Sequence, residues 1–136
     1  MGGHDREMNI KQIKAVMKKY GDAWEKKDTD LIFECFTKTG KYQESPLAKP
    51  YVGHKAIAKF WDSIVVKNTR KRKFKTGKRY LSKDEKTGFA EWECKNEYRG
   101  KGKWESGRMV GIMILKMRGD KITYLNEYWN TKRFGK

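Results

Sequence analysis

The order of hydrophobic periods predicts an α+β domain in which helices cover a curved antiparallel sheet. Apolar residues recur at three- and four-residue intervals over the first half of the chain and at two-residue intervals, broken by turn signals, over the second. Helices first and strands afterwards fit an α+β arrangement better than alternating parallel units. A length of 136 residues suits one core. We therefore expect a single domain over 10–136, preceded by a flexible segment over 1–9.

Ile10, Ile13, Met17, Tyr20 and Trp24 form one stripe of a helix from about Asn9 to Lys27, with lysines on the other face. The chain should break at Lys27-Asp28, because Asp28 and Asp30 suit the start of a second helix whose apolar side is Leu31, Ile32, Cys35 and Phe36. A short strand is expected from Gly40 to Glu44. The Ser45–Pro50 stretch then forms a loop, since proline has no amide to donate. A third helix from about His54 to Val65 carries Ile57, Phe60, Trp61 and Ile64 on one side. Strands follow near 71–81, 87–99, 103–117 and 121–130, with turns at Lys83-Asp84, Gly100-Lys101-Gly102 and Arg118-Gly119-Asp120.

Six Phe, seven Tyr and five Trp point to an aromatic-rich core. The longest apolar run, Met109–Leu115, is far short of the roughly 20 residues of a membrane span, so no membrane insertion is expected. The first residues lack the apolar centre of a signal peptide, which makes the cytoplasm the expected location, with Cys35 and Cys94 reduced and buried. Two cysteines and two histidines supply no zinc spacing, and neither metal nor cofactor is expected. A net charge of +16 marks a basic protein whose surface suits an acidic protein or nucleic acid. Seven cations fall between Arg70 and Arg79. On a folded strand they are either phosphate contacts or a solvated edge that resists aggregation.

Two strands do not alternate cleanly. From Gly88 to Tyr98, Ala90, Trp92, Cys94, Asn96 and Tyr98 face one way and Phe89, Glu91, Glu93, Lys95 and Glu97 the other. From Arg108 to Met117 both faces are apolar near the centre, which predicts protein on both sides and a homodimer through the sheet.

Several stretches together resemble the family that includes nuclear transport factor 2, ketosteroid isomerase and the SnoaL-like polyketide cyclases. They are residues 20–28, 31–36, Tyr42-Gln43-Glu44-Ser45-Pro46, residues 50–57 with Phe60-Trp61, and Gly119-Asp120-Lys121-Ile122 leading to Asn126-Glu127-Tyr128-Trp129. The resemblance spans about residues 10–130 and implies a cone: three helices packed into a strongly curved sheet, a pocket at the open end and frequent dimerisation. It also implies widely differing functions, from isomerases, cyclases and dehydratases to noncatalytic binding proteins.

By resemblance to ketosteroid isomerase, Tyr20 takes the place of the oxyanion-donating tyrosine and Glu44 that of the carboxylate base. The second acid of that site is replaced by Ile112 or Met113, neither of which donates a hydrogen bond. By resemblance to the cyclases, Glu127 is a further candidate base, on the same face as Thr123, Leu125 and Trp129. Tyr20 is equally readable as core packing, and Glu44 as a turn cap. Candidate ligand-binding residues are Trp24, Tyr42, Trp61, Met109, Met113 and Trp129, an aromatic and thioether wall for a flat organic ligand, with Glu91 and Glu93 as further carboxylates. His54 is ordinarily read as a capping or solvated residue. The leading expectation is a SnoaL-like protein that binds a small, mostly apolar organic ligand and acts as an acid/base isomerase, cyclase or dehydratase. The alternatives are a noncatalytic binding or scaffold protein and a basic nucleic-acid-binding protein.

Overall fold

A computed structural model describes residues 8–99 and 101–133, so residues 1–7 of the expected flexible segment and Gly100 of the expected turn lie outside it. Helix α1 runs Ile10–Lys26 and starts at a capping box, in which the Asn9 side chain accepts from the Gln12 amide and the Gln12 side chain from the Asn9 amide, both at 2.9 Å. Its stripe of Ile13, Val16, Met17, Tyr20, Ala23 and Trp24 is buried. Lys27 ends it in a left-handed conformation, φ 57°, and Asp28 caps α2 (Thr29–Cys35) by accepting from the Asp30 and Leu31 amides.

Strand β1 (Phe36–Gln43) begins earlier than the sequence suggests. Phe36 is extended rather than helical because it pairs with the start of β6, opposite Ile122. A two-residue strand β2 (Tyr51–Val52) pairs with β1 directly after Pro50, an edge position where a missing amide costs no ladder bond. Helix α3 (Gly53–Phe60) widens into a π-helical segment over Trp61–Val66. Strands β3 (Thr69–Leu81), β4 (Gly88–Arg99), β5 (Trp104–Arg118) and β6 (Lys121–Arg133) form an antiparallel meander.

The six strands lie in the order β2-β1-β6-β5-β4-β3, with β1 and β6 parallel. This corrects the expected fold. The protein is α+β with three helices, but its sheet is mixed and open, neither strongly curved nor closed, and so not a cone. Closure needs the two end strands to pair. Here one end strand is only two residues long and the other is the cation-rich β3.

The helices cover one face of the sheet, and rings fill the space between. Tyr20 meets Trp61 and Phe74 edge-on, with centroids 5.9 and 5.6 Å apart, and Phe74 stacks on Trp92 at 5.7 Å. Two close approaches depend on glycine. A Cβ on Gly21 would lie 2.8 Å from the Phe74 ring, and one on Gly111 would lie 2.8 Å from the Cβ of Trp129. Gly111 thus lets Trp129 lie across β5. No helix among the described residues is long and apolar enough to cross a membrane.

Candidate active site

Tyr20 projects from the buried stripe of α1, Tyr42 from the end of β1, and Glu127 from the inner face of β6. The parallel pairing of β1 with β6 sets Tyr42 beside Leu125, one step from Glu127, and the helix lays Tyr20 over both. All three side chains are buried, and Glu127 is only 4% exposed. The Tyr20 hydroxyl donates to Glu127 Oε2 at 2.6 Å, Tyr42 reaches the same oxygen at 3.3 Å, and the two hydroxyls are 2.9 Å apart. Each hydroxyl has one proton. With the Tyr20 proton committed to Glu127, the Tyr42 proton is divided between Glu127 Oε2 and the Tyr20 oxygen.

Burial pushes the Glu127 carboxyl up to about 8, even though the two tyrosine hydrogen bonds favour its ionised form. Burial, followed by the charge of Glu127, raises both tyrosines well above their usual range, so they remain donors. At neutral pH Glu127 is thus poised to give or take a proton, the property required of a general acid or base.

Glu127 opens on a cavity of about 520 Å³ between the helices and the sheet. Trp24, Tyr42, Met109 and Trp129 line it, and Glu44 stands there half-buried, its carboxyl raised by desolvation. The Glu44 carbonyl accepts from Trp129 Nε1 at 2.6 Å, which ties the loop after β1 to β6. Tyr20, Trp61 and Met113 are fully buried behind the lining; Trp61 packs on Tyr20 and Trp24, and Met113 sits opposite Glu127 on β5.

Glu91 and Glu93 lie on the other face of β4, away from this cavity. Glu91 accepts from the Tyr80 hydroxyl at 2.9 Å, and Glu93 takes Arg108 Nε and Nη2 at 2.8 and 3.2 Å. Cross-strand pairing decides the matter, since Trp92 and Cys94 need the helices to cover them. His54 stacks on Phe33 and its Nε2 lies 3.1 Å from the Phe36 carbonyl, outside the cavity.

Sequence reasoning missed Tyr51, Phe60, Thr69, Asn96 and Thr131 as lining. Asn96 and Thr131 carry a readable signal, for they continue the two-residue alternation of Cys94 and of Glu127-Trp129. Tyr51 and Thr69 come from a two-residue strand and a helix exit, with no periodicity to extend. Both cysteines are free and buried, with thiols pushed up to about 12 by desolvation, so neither is an activated nucleophile. The described residues contain no group of three His, Cys, Asp or Glu able to hold a metal. A larger groove of about 770 Å³ crosses the outer face, lined by Glu91, Glu93, Val110, Ile112 and Tyr128 among others. None of those carboxylates is buried, in contrast to Glu127 in the inner cavity.

The family profile described as a SnoaL-like domain matches residues 17–125, most of the chain. The chain belongs to the SnoaL-like family. No curated protein matches the sequence. Among solved structures, this SnoaL-like protein is similar to a Bacillus subtilis protein assigned as an isomerase, at 24% identity over 90% of both chains and a TM-score of 0.75. It is similar also to a Silicibacter protein assigned as a polyketide cyclase, at 16% identity over 91% of this chain and 93% of that one, TM-score 0.75. A third is SalBIII, the epoxide hydrolase/cyclase-like enzyme of pyran ring formation in salinomycin, at 14% identity, coverage of 89% and 95%, and TM-score 0.76. At these identities the likeness is one of fold.

Proposed function

We propose that this SnoaL-like protein binds a small, mostly apolar organic molecule in the inner cavity and moves a proton on it, catalysing an isomerisation, cyclisation or dehydration. The observation that carries this reading is the Glu127 carboxyl, buried at the wall of the cavity with Tyr20 and Tyr42 both on its Oε2. That leaves Oε1 as the oxygen to exchange a proton with the ligand, while the tyrosines hold the carboxyl in place and share its negative charge. Rings from Trp24, Tyr42, Phe60 and Trp129 supply apolar area for a flat ligand. Glu44, half-buried in the lining of the same cavity, serves as the second carboxyl that receives or returns the proton. Isomerase and cyclase are also words in the names of the Bacillus subtilis protein and of SalBIII.

The test is a panel of cyclic ketones and enones incubated in D2O, with deuterium uptake at the carbon next to the carbonyl followed by NMR. The wild type should exchange at least one member, and Glu127→Gln should slow that exchange by about 10²-fold or more, the usual worth of a positioned acid or base. Equal exchange by wild type and Glu127→Gln would reject the role of Glu127.

A homodimer through the outer sheet face forms part of the proposal. Val110 and Tyr128 are 39% and 42% exposed there, beside half-buried Ile112 and Ile114 on the central strands β5 and β6. Sedimentation should give twice the 16.1 kDa chain mass, falling to one chain mass in Ile112→Lys; a wild-type monomer at tens of micromolar would remove the dimer.

A further inference from the structure

We infer that the outer face of the sheet carries a binding site for single-stranded nucleic acid, centred on a row of four cations that crosses four strands. Register places the row. Lys73 on β3 is opposite Lys95 on β4, Lys95 is opposite Arg108 on β5, and Arg108 is opposite Lys132 on β6. All four are exposed. Adjacent strands lie about 4.8 Å apart, so the row runs roughly 14 Å straight across the sheet.

Like charges set directly opposite each other destabilise a sheet. Protection of an exposed edge explains lysines on β3, but Lys95, Arg108 and Lys132 stand on β4, β5 and β6, which have neighbours on both sides. The acids on this face are already engaged. Glu93 is held by Arg108 at 2.8 Å, Glu97 by Arg70 at 2.6 Å, and Glu91 by the Tyr80 hydroxyl. Among the described residues, Lys73, Lys95 and Lys132 make no ion pair. Lys73, Lys95 and Lys132 are thus left available to phosphates, while Arg108, between Lys95 and Lys132 in the row, shares its charge with Glu93.

The Trp104 ring beside the row decides between an acidic protein and a nucleic acid. Toward one end of the strands, on the same face, the Trp104 ring holds the Arg70 guanidinium 4.2 Å and that of Arg99 4.9 Å from its centroid. On the other side, Asn130 separates the row from Tyr128 and the apolar dimer patch along β6. A cationic track bordered by a ring and guanidinium planes suits unpaired bases, which stack while their phosphates follow the charges. An acidic peptide would use the charges and leave the ring idle. The apolar outer-face residues Ile112 and Ile114 lie farther along the strands, so the row falls at the rim of that patch.

The experiment is fluorescence anisotropy of a labelled oligothymidylate of about 20 nucleotides against the full chain, from low to physiological salt. Wild type should bind with an affinity that falls steeply with salt. The variant Lys95→Ser/Lys132→Ser should reduce the slope of log affinity against log salt by about 1.4, at about 0.7 per lost phosphate contact. Lys55→Ser/Lys59→Ser, which removes two exposed cations from α3, should leave the slope near wild type. In the same preparations Lys95→Thr should melt about 1–4 °C higher without oligonucleotide, because the central member of a repulsive row is gone. Absence of wild-type binding at 100 mM salt, equal weakening by the α3 variant, or displacement of the oligonucleotide by polyglutamate at equal charge would each overturn the inference.

Discussion

Glu127 joins the chemistry of the cavity to the stability of the fold. Its folded-state value of about 8 lies above the ordinary carboxyl value of 4.5 expected when unfolded. Between those two values the folded chain holds more protons, so this group's stabilising contribution is complete below the lower value and is lost as pH rises toward the upper one. The slope is at most about 1.4 kcal/mol per pH unit. Glu127→Gln should flatten urea-unfolding stability between pH 5 and 8, and an unchanged profile would show that the carboxyl does not titrate there. Tyr20→Phe removes the closer donor to Oε2 and should raise the Glu127 carboxyl further, as followed by carbon NMR of labelled Glu. Arg72, 7% exposed, is bound by carbonyls instead of a carboxylate: its guanidinium donates to Trp24, Val65 and Thr69. Arg72→Met leaves those acceptors unpaired and should cost about 2–4 kcal/mol by denaturant titration.

Among the elements, α1 was the most legible, because a five-residue apolar stripe at helical spacing has one reading. The break at Lys27-Asp28 was legible for the same local reason, a capping aspartate before a new apolar run. Strand β4 was ambiguous by alternation alone, since tryptophan and cysteine on one face compete with phenylalanine on the other. Pairing to β5 and coverage by α1 put Trp92 and Cys94 inside, and that took Glu91 and Glu93 to the outer face. On β5, any Cβ at Gly111 would meet Trp129 and the Tyr128 carbonyl of β6. Gly111→Ala should therefore destabilise by about 1–3 kcal/mol. It should also displace Trp129 from its bond to the Glu44 carbonyl, so tryptophan fluorescence of the native state should shift, whereas a purely local clash would leave the emission unchanged.

For the whole molecule, charge and topology set the behaviour. A net charge of +16 on 136 residues loads the compact state with self-repulsion, against six ion pairs among the described residues, all at least partly exposed. Melting temperature should thus rise as NaCl increases to about 0.3 M, and a fall would mean that the ion pairs outweigh the repulsion. Membership of the SnoaL-like family, the α+β order of elements and the aromatic character of the core were all determined by the sequence, because local periods and short motifs report what each segment buries. Tertiary structure alone decided that the sheet is open and mixed, and that Tyr20, Tyr42 and Glu127 meet around one oxygen. Those three residues come from a helix and two strands as much as 107 positions apart, and only the parallel pairing of β1 with β6 under α1 brings their polar atoms within hydrogen-bonding distance.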